Sequence, residues 1–230
     1  MLLQDIRYGF RSLRANLTLT VIAIACLALG IGVNTTIFSV VDGVLIQPFP
    51  YTEPDRLVIL NEAHHQTGVR EAGISFLDLR DWRDESTAFS GVAAVQFRSL
   101  TISDGDEPER FLGAAVSWNL FSLLGIVPAH GRSFVADDDV PGAAPVVIMS
   151  DPVWRTRYQA DPSIVGRSIL VNAQPHTVIG VMPPNFEFPT NQKLWVPLEP
   201  LLHATPRNER GIDGYARLKP GSRSSRRAVR

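Results

Sequence analysis

An uncharged apolar run near the N-terminus constrains the fold of this chain more than any other feature. No charged residue occurs from Leu17 to Val33, and the apolar character resumes after a short polar stretch at residues 34–36. A helix of about 20 residues crosses the ~30 Å hydrocarbon core of a bilayer. Buried helices of soluble proteins are seldom apolar on every face over such a length. The run therefore predicts a transmembrane helix, which we place at residues 17–46.

The segment before this run, residues 1–16, is predicted to form an amphipathic helix at the cytoplasmic interface. Its apolar side chains recur every three or four positions, while Arg7, Arg11 and Arg14 form a neighbouring stripe. Under the positive-inside rule these arginines anchor the N-terminus on the cytoplasmic face, and the rest of the chain follows outside. A cleavable signal peptide is the competing interpretation. The apolar run exceeds the usual ~15 residues, however, and no suitable cleavage site follows it.

Small residues form a strip along one side of the predicted transmembrane helix. Ala25, Ala28 and Gly32 recur at helical spacing. Small residues at this spacing let a second helix approach closely within the bilayer. We expect this strip to pack against another transmembrane helix.

The residues after the apolar run predict a separate domain outside the membrane. Pro48, Pro50 and Pro54 end the helix and begin an extended connection. We assign residues 47–221 to an α+β extracytoplasmic domain, of one lobe or two, and residues 222–230 to a disordered basic tail. Strands are expected at 56–61, 91–103, 109–117, 145–149, 167–171, 176–182 and 194–198, and the last of these is expected to be the final strand. Helices are expected at 75–85, at 118–124 and from the N-cap Asp151 to residue 158. Residues 129–142 are expected to form a loop.

Composition and motifs give little support to catalytic or nucleic-acid-binding functions. The formal net charge is -1, and the basic residues do not gather into a broad face, so we expect no nucleic-acid partner. The acidic run Asp137–Asp139 lacks the ligand spacing of a calcium loop and is interpreted as a solvated loop. No histidine pair has usable metal-ligand spacing, and no phosphate-binding loop is complete. We therefore expect neither a metal, nor a cofactor, nor an enzymatic activity.

Several strings of residues resemble the MacB/FtsX-type ABC transporter permeases, in particular those with a MacB-like periplasmic core domain. The resemblance extends from the N-terminal segment to about Gly221. The strings are LGIGVNTTIFSVV at 29–41, PFPY at 48–51, EPDRL at 53–57, FLDLRDW at 76–82, EPER at 107–110, GRSF at 131–134, DPSIVGR at 161–167 and VIGVMP at 178–183.

This resemblance implies a non-catalytic permease subunit of the bacterial inner membrane. In that family a separate cytoplasmic ATPase drives movement of the transmembrane helices and, through them, of the periplasmic domain. The resemblance implies three partners: the membrane, the ATPase, and a second copy or another permease half. Because the family has several transmembrane helices and this sequence shows one, we expect a truncated or frameshifted permease. The alternative is a single-pass membrane sensor or ligand-binding protein.

The predicted orientation can be tested with a topology reporter. Alkaline phosphatase fused after Gly105 should be active, because the enzyme matures only outside the cytoplasm and residue 105 follows the span. A fusion after Asn16 should be inactive and serves as the control. Cytoplasmic activity of a reporter fused after Gly105 would contradict the orientation.

Overall fold

The computed structural model of the protein describes residues 14, 16–41, 51–60, 62–64, 69–105, 107–202, 206 and 208–221. By its contacts the chain divides into two units, Met1–Pro50 and Tyr51–Arg230. The first contains helix α1, Leu17–Val41. In the described part of the chain this is the one helix long and apolar enough to cross a membrane. Arg7, Arg11, residues 42–46 and the tail at 222–230 lie outside the described residues.

In the described residues of the second unit, eleven strands combine with four short α-helices. The strands are β1 Leu57–Leu60, β2 Glu62–His64, β3 Val69–Ala72, β4 Phe89–Ile102, β5 Glu109–Val116, β6 His130–Gly131, β7 Val146–Met149, β8 Ser168–Val171, β9 Gln174–Val181, β10 Leu194–Pro197 and β11 Asp213–Leu218. The helices are α2 Phe76–Glu85, α3 Leu120–Leu124, α4 Asp151–Tyr158 and α5 Glu199–Leu202.

Nine of the strands form one mixed sheet, which confirms the predicted α+β class. Its order is β1-β11-β4-β5-β10-β7-β9-β6, with β8 pairing β4 and β9, while β2 and β3 form a separate hairpin. The β5–β10 and β7–β9 pairs are parallel, and the other pairs in this sheet are antiparallel. By its contacts, Tyr51–Arg230 is one compact unit.

The core lies on both faces of this sheet. Along β4, Val92 and Ala94 belong to one buried cluster, whereas Ala93 and Val95 belong to the other. This alternation follows from the two-residue period of a strand, which points successive side chains to opposite faces. Helix α3 packs on the second face with an aromatic group that includes Trp195, whose side chain is fully buried.

Local signals explain most of the elements that the sequence predicted. The Ser75 side chain accepts a hydrogen bond from the Asp78 amide and so caps α2. In the β8–β9 hairpin the turn is shorter than expected. It consists of Asn172 and Ala173, both with positive φ, which is the backbone geometry of a type I′ turn.

Three predictions about element bounds were wrong. Ser150, not Asp151, is the N-cap of α4, so Asp151 becomes its first residue and forms an ion pair with Arg155. Residues 129–142 are not all loop, because β6 pairs with β9. The strand β10 is not the final one, since β11 follows it and lies between β1 and β4.

The interpretation of Asp137–Asp139 as a solvated loop also needs correction. Asp139 is only 1% exposed. Its two carboxylate oxygens accept hydrogen bonds from the Trp118 amide at 2.9 Å and the Glu199 amide at 2.7 Å. Burial raises the pKa of Asp139, although these backbone hydrogen bonds oppose the shift. Asp139 therefore joins the carboxyl ends of the adjacent strands β5 and β10.

Replacing Asp139 should destabilise the domain. In Asp139→Ala the part-buried amides of Trp118 and Glu199 lose their acceptor, and an unsatisfied buried donor costs about 1–3 kcal/mol. We expect the free energy of unfolding to fall by about 2 kcal/mol or more on that basis, measured by urea denaturation with tryptophan fluorescence. The exposed neighbour Asp137→Ala is the control and should change stability little. Equal stability of the two variants would contradict the assigned role of Asp139.

Candidate functional site: the junction of connector and β11

The two ends of the sheet domain meet at one place. The chain enters through residues Tyr51–Arg56, here called the connector, and continues into β1. Strand β11 pairs antiparallel with β1, in a register that sets Leu57 opposite Arg217. The start of β1 and the end of β11 therefore lie side by side at the same end of the sheet. We call this region the junction.

Arg217 holds the junction together from β11. Its Nε donates to the Leu123 carbonyl oxygen at 3.1 Å, and Nη2 donates to the same oxygen at 2.5 Å. Its Nη1 donates to the Glu53 carbonyl oxygen at 3.2 Å. The side chain is 12% exposed. Burial lowers the pKa of Arg217, as does nearby Arg56, while Glu53 opposes the shift. A guanidinium remains charged despite such a shift.

Arg56 makes the reciprocal connection from the connector to β11. Its Nε and Nη2 donate to the Leu218 carbonyl oxygen at 2.9 Å and 2.6 Å. Its Nη1 also pairs with the Glu53 carboxylate at 2.5 Å. Arg56 of the connector and Arg217 of β11 thus bind backbone carbonyls across the junction. Because carbonyl acceptors belong to the backbone, these contacts depend on the two arginines and on the local fold alone.

The C-terminus of α3 forms the third part of the junction. The last carbonyls of a helix lack partners within the helix. Here the Leu123 carbonyl is bonded by Arg217, and the Leu124 carbonyl accepts the Thr52 amide at 3.0 Å. Gly125 ends the helix with a φ of 75°. Connector and β11 are therefore both fixed to the same helix end.

An aromatic contact joins the connector to the core. The rings of Tyr51 and Phe188 meet edge-on with centroids 5.6 Å apart, and Phe188 contacts Tyr215 of β11 at 5.1 Å. Burial raises the pKa of both tyrosines. These hydrophobic rings reinforce the polar contacts of Arg56 and Arg217. Polar and aromatic contacts together thus hold the connector to the sheet domain.

The residues predicted from sequence to act in the membrane lie elsewhere, in the N-terminal unit. Ala25, Ala28 and Gly32 are all in α1 and are exposed, and Arg14 is helical and exposed. An added Cβ at Gly32 would meet no atom within 4 Å. Their roles in helix packing and in anchoring stay predictions.

Sequence reasoning did not identify the junction residues as a site. Arg56 was recognised only within the string EPDRL at 53–57 and the strand expected at 56–61, and Gly125 and Arg217 only as part of the domain assigned to residues 47–221. The Arg217 contacts span 94 and 164 residues of sequence. No local pattern signals pairing over such a separation.

Removing the Arg217 side chain should weaken the junction measurably. In Arg217→Ala the Leu123 and Glu53 carbonyls lose charged donors, and such hydrogen bonds contribute about 1.5–3 kcal/mol. We expect a loss of unfolding free energy in that range, roughly 2 kcal/mol, by urea denaturation. Arg110→Ala is the matched control, because the exposed Arg110 side chain donates a hydrogen bond to Ser99 and reaches no backbone carbonyl of the junction. A loss no greater than that of the control would refute this role for Arg217.

The fold has counterparts among solved structures. Its TM-score is 0.56 with the periplasmic region of MacB from Actinobacillus actinomycetemcomitans, at 16% identity over 73% of this chain and 76% of that one. It is 0.57 with a domain of a putative permease from Porphyromonas gingivalis, at 14% identity over 75% and 79%. The extracellular domain of the noncanonic ABC-type transporter YknZ from Gram-positive bacteria gives 0.51, at 15% identity over 72% and 83%.

Sequence comparison points to the same group of proteins. The macrolide export ATP-binding/permease protein MacB of Azoarcus sp. (strain BH72) is 26% identical over 196 residues, which cover 83% of this chain. The chain spans only 29% of the length of that relative. The family model for the MacB-like periplasmic core domain matches residues 20–226. The chain therefore belongs to the MacB-like periplasmic core domain family, which is part of the ABC transporter permeases.

Proposed function

We propose that this chain is a non-catalytic permease component of a MacB/FtsX-type ABC transporter. Residues 17–46 span the inner membrane, residues 1–16 lie at its cytoplasmic face, and residues 47–221 form the periplasmic domain. A separate ATPase in the cytoplasm binds ATP and moves the transmembrane helix. The periplasmic domain moves in response to the movement of the transmembrane helix.

The single observation that best supports this proposal is the junction itself. A chain segment arriving from a membrane helix is useful for transmission only if it is fixed to the body of the domain. The connector is fixed by Arg56, by the Thr52 amide and by the packing of Tyr51 on Phe188. A displacement of the connector therefore reaches β11 and α3 directly, because each of them is hydrogen-bonded to it or to its neighbour β1.

The proposal includes helix partners within the bilayer. The strip of Ala25, Ala28 and Gly32 allows close approach of a helix from a second copy or from another permease half. Small residues matter there because association in lipid depends on van der Waals packing and not on the hydrophobic effect. The ATPase contacts the assembled helices from the cytoplasmic side, where Arg7, Arg11 and Arg14 anchor the chain.

Affinity purification from native membranes tests the proposal. The tagged chain, extracted in a mild detergent, should recover an ABC-type ATP-binding subunit identified by mass spectrometry. Gly32→Leu should lower this recovery severalfold, because leucine fills the strip, whereas the matched control Ile31→Leu should leave it unchanged. Recovery of a signalling kinase in place of an ATP-binding subunit would favour the sensor alternative and refute the transport proposal.

A further inference from the structure

Thr52 lies so close to Gly125 that only a glycine fits at position 125, and the end of helix α3 does not by itself require this closeness. Gly125 ends α3 in a left-handed conformation, which by itself favours glycine. Because glycine has no Cβ, Thr52 can also occupy the space where a Cβ of residue 125 would lie. A Cβ at position 125 would lie 1.9 Å from Thr52 Oγ1 and 2.6 Å from Thr52 Cβ. Rotation of the Thr52 side chain would relieve only the first of these clashes. The connector backbone would have to move.

The position of Thr52 is further fixed through its backbone. Its amide donates to the Leu124 carbonyl oxygen at 3.0 Å. The Leu124 side chain is 1% exposed and packs in the second core with Phe121. The helix end to which Thr52 binds therefore belongs to the buried body of the domain. Any shift of the connector either moves α3 or breaks this hydrogen bond.

We infer that the Thr52–Gly125 contact is the point at which displacement of the connector is passed to the sheet domain, with Thr52 and Gly125 as positioning residues. This inference rests on the proposed transport function and adds a location to it. Pairing of β1 with β11 keeps the two chain ends together, but both strands lie at one side of the sheet. Helix α3 lies on the second face, against the aromatic core, so the contact carries the displacement into the interior.

The chain contains a second glycine that serves as a matched control for the clash between residue 125 and Thr52. Gly142 also has a left-handed backbone, with a φ of 83°, but an added Cβ there would meet no atom within 4 Å. Gly142→Ala therefore introduces backbone strain of the same kind as Gly125→Ala without displacing a neighbour. A difference between the two variants reports the loss of the Thr52 contact and not the strain of a left-handed alanine.

Hydrogen exchange of the purified full chain in nanodiscs gives the first readout. Exchange of the Thr52 amide should be at least about tenfold faster in Gly125→Ala than in the wild type, and unchanged in Gly142→Ala. Thr52→Gly combined with Gly125→Ala removes both clashing atoms and should restore slow exchange. Equal exchange at Thr52 in the two alanine variants would overturn the inference.

In the second readout, hydrogen exchange is measured in the presence of the ATP-binding subunit that is recovered with the chain. Binding of ATP with vanadate should change exchange of the α3 peptide in the wild type and in Gly142→Ala. The change should be lost in Gly125→Ala and regained in the double variant. A response in Gly125→Ala as large as in Gly142→Ala would overturn the inference while leaving the transport proposal intact. A wild type without any nucleotide response would refute both.

Discussion

The pairing of β11 between β1 and β4 is the constraint on which the rest of the structure depends. It joins residues at the beginning of the domain to residues near its end, with Leu57 opposite Arg217 and Val92 opposite Ala216. Without β11, strand β1 would have no neighbour among the strands that the structure describes in this sheet, and the connector would lose both arginine contacts. Such long-range pairing carries a cost in loop-closure entropy before it stabilises the fold. The junction therefore exists only in the completed domain.

Small residues at the centre of the sheet explain how that pairing supports two cores. Ala93, Ala94, Ala114 and Ala115 are fully buried, on alternating faces of neighbouring strands. They leave room for larger groups on the second face, where Phe121 meets Trp195 edge-on at a centroid distance of 6.0 Å. The Trp195 indole N–H donates to the Phe188 carbonyl at 3.1 Å. The connector, through Tyr51 and Phe188, is thus linked to α3 by packing as well as by hydrogen bonds.

The sequence allowed the local elements to be predicted, and the long-range ones escaped it for physical reasons. The β4–β5 and β8–β9 hairpins have turn residues and apolar runs close together, so their pairing could be inferred. In β11 the inward positions are Gly214, Ala216 and Leu218, and two of these three are too small to give a clear apolar alternation. The acidic run could not reveal that only Asp139 is buried. The family resemblance is the basis of the proposed function, which local patterns did not contain.

The direction in which the two ends leave the sheet has a mechanical consequence. The connector and the end of β11 lie at the same end of an antiparallel pair, so a force between them peels β1 from β11 one residue pair at a time. Shear along the strands would instead load all the pairs at once. Peeling concentrates the force on the first contacts, and there Arg56 binds the Leu218 carbonyl while Arg217 binds the Glu53 and Leu123 carbonyls. These charged hydrogen bonds therefore lie at the point where a pull on the connector would otherwise begin to open the domain.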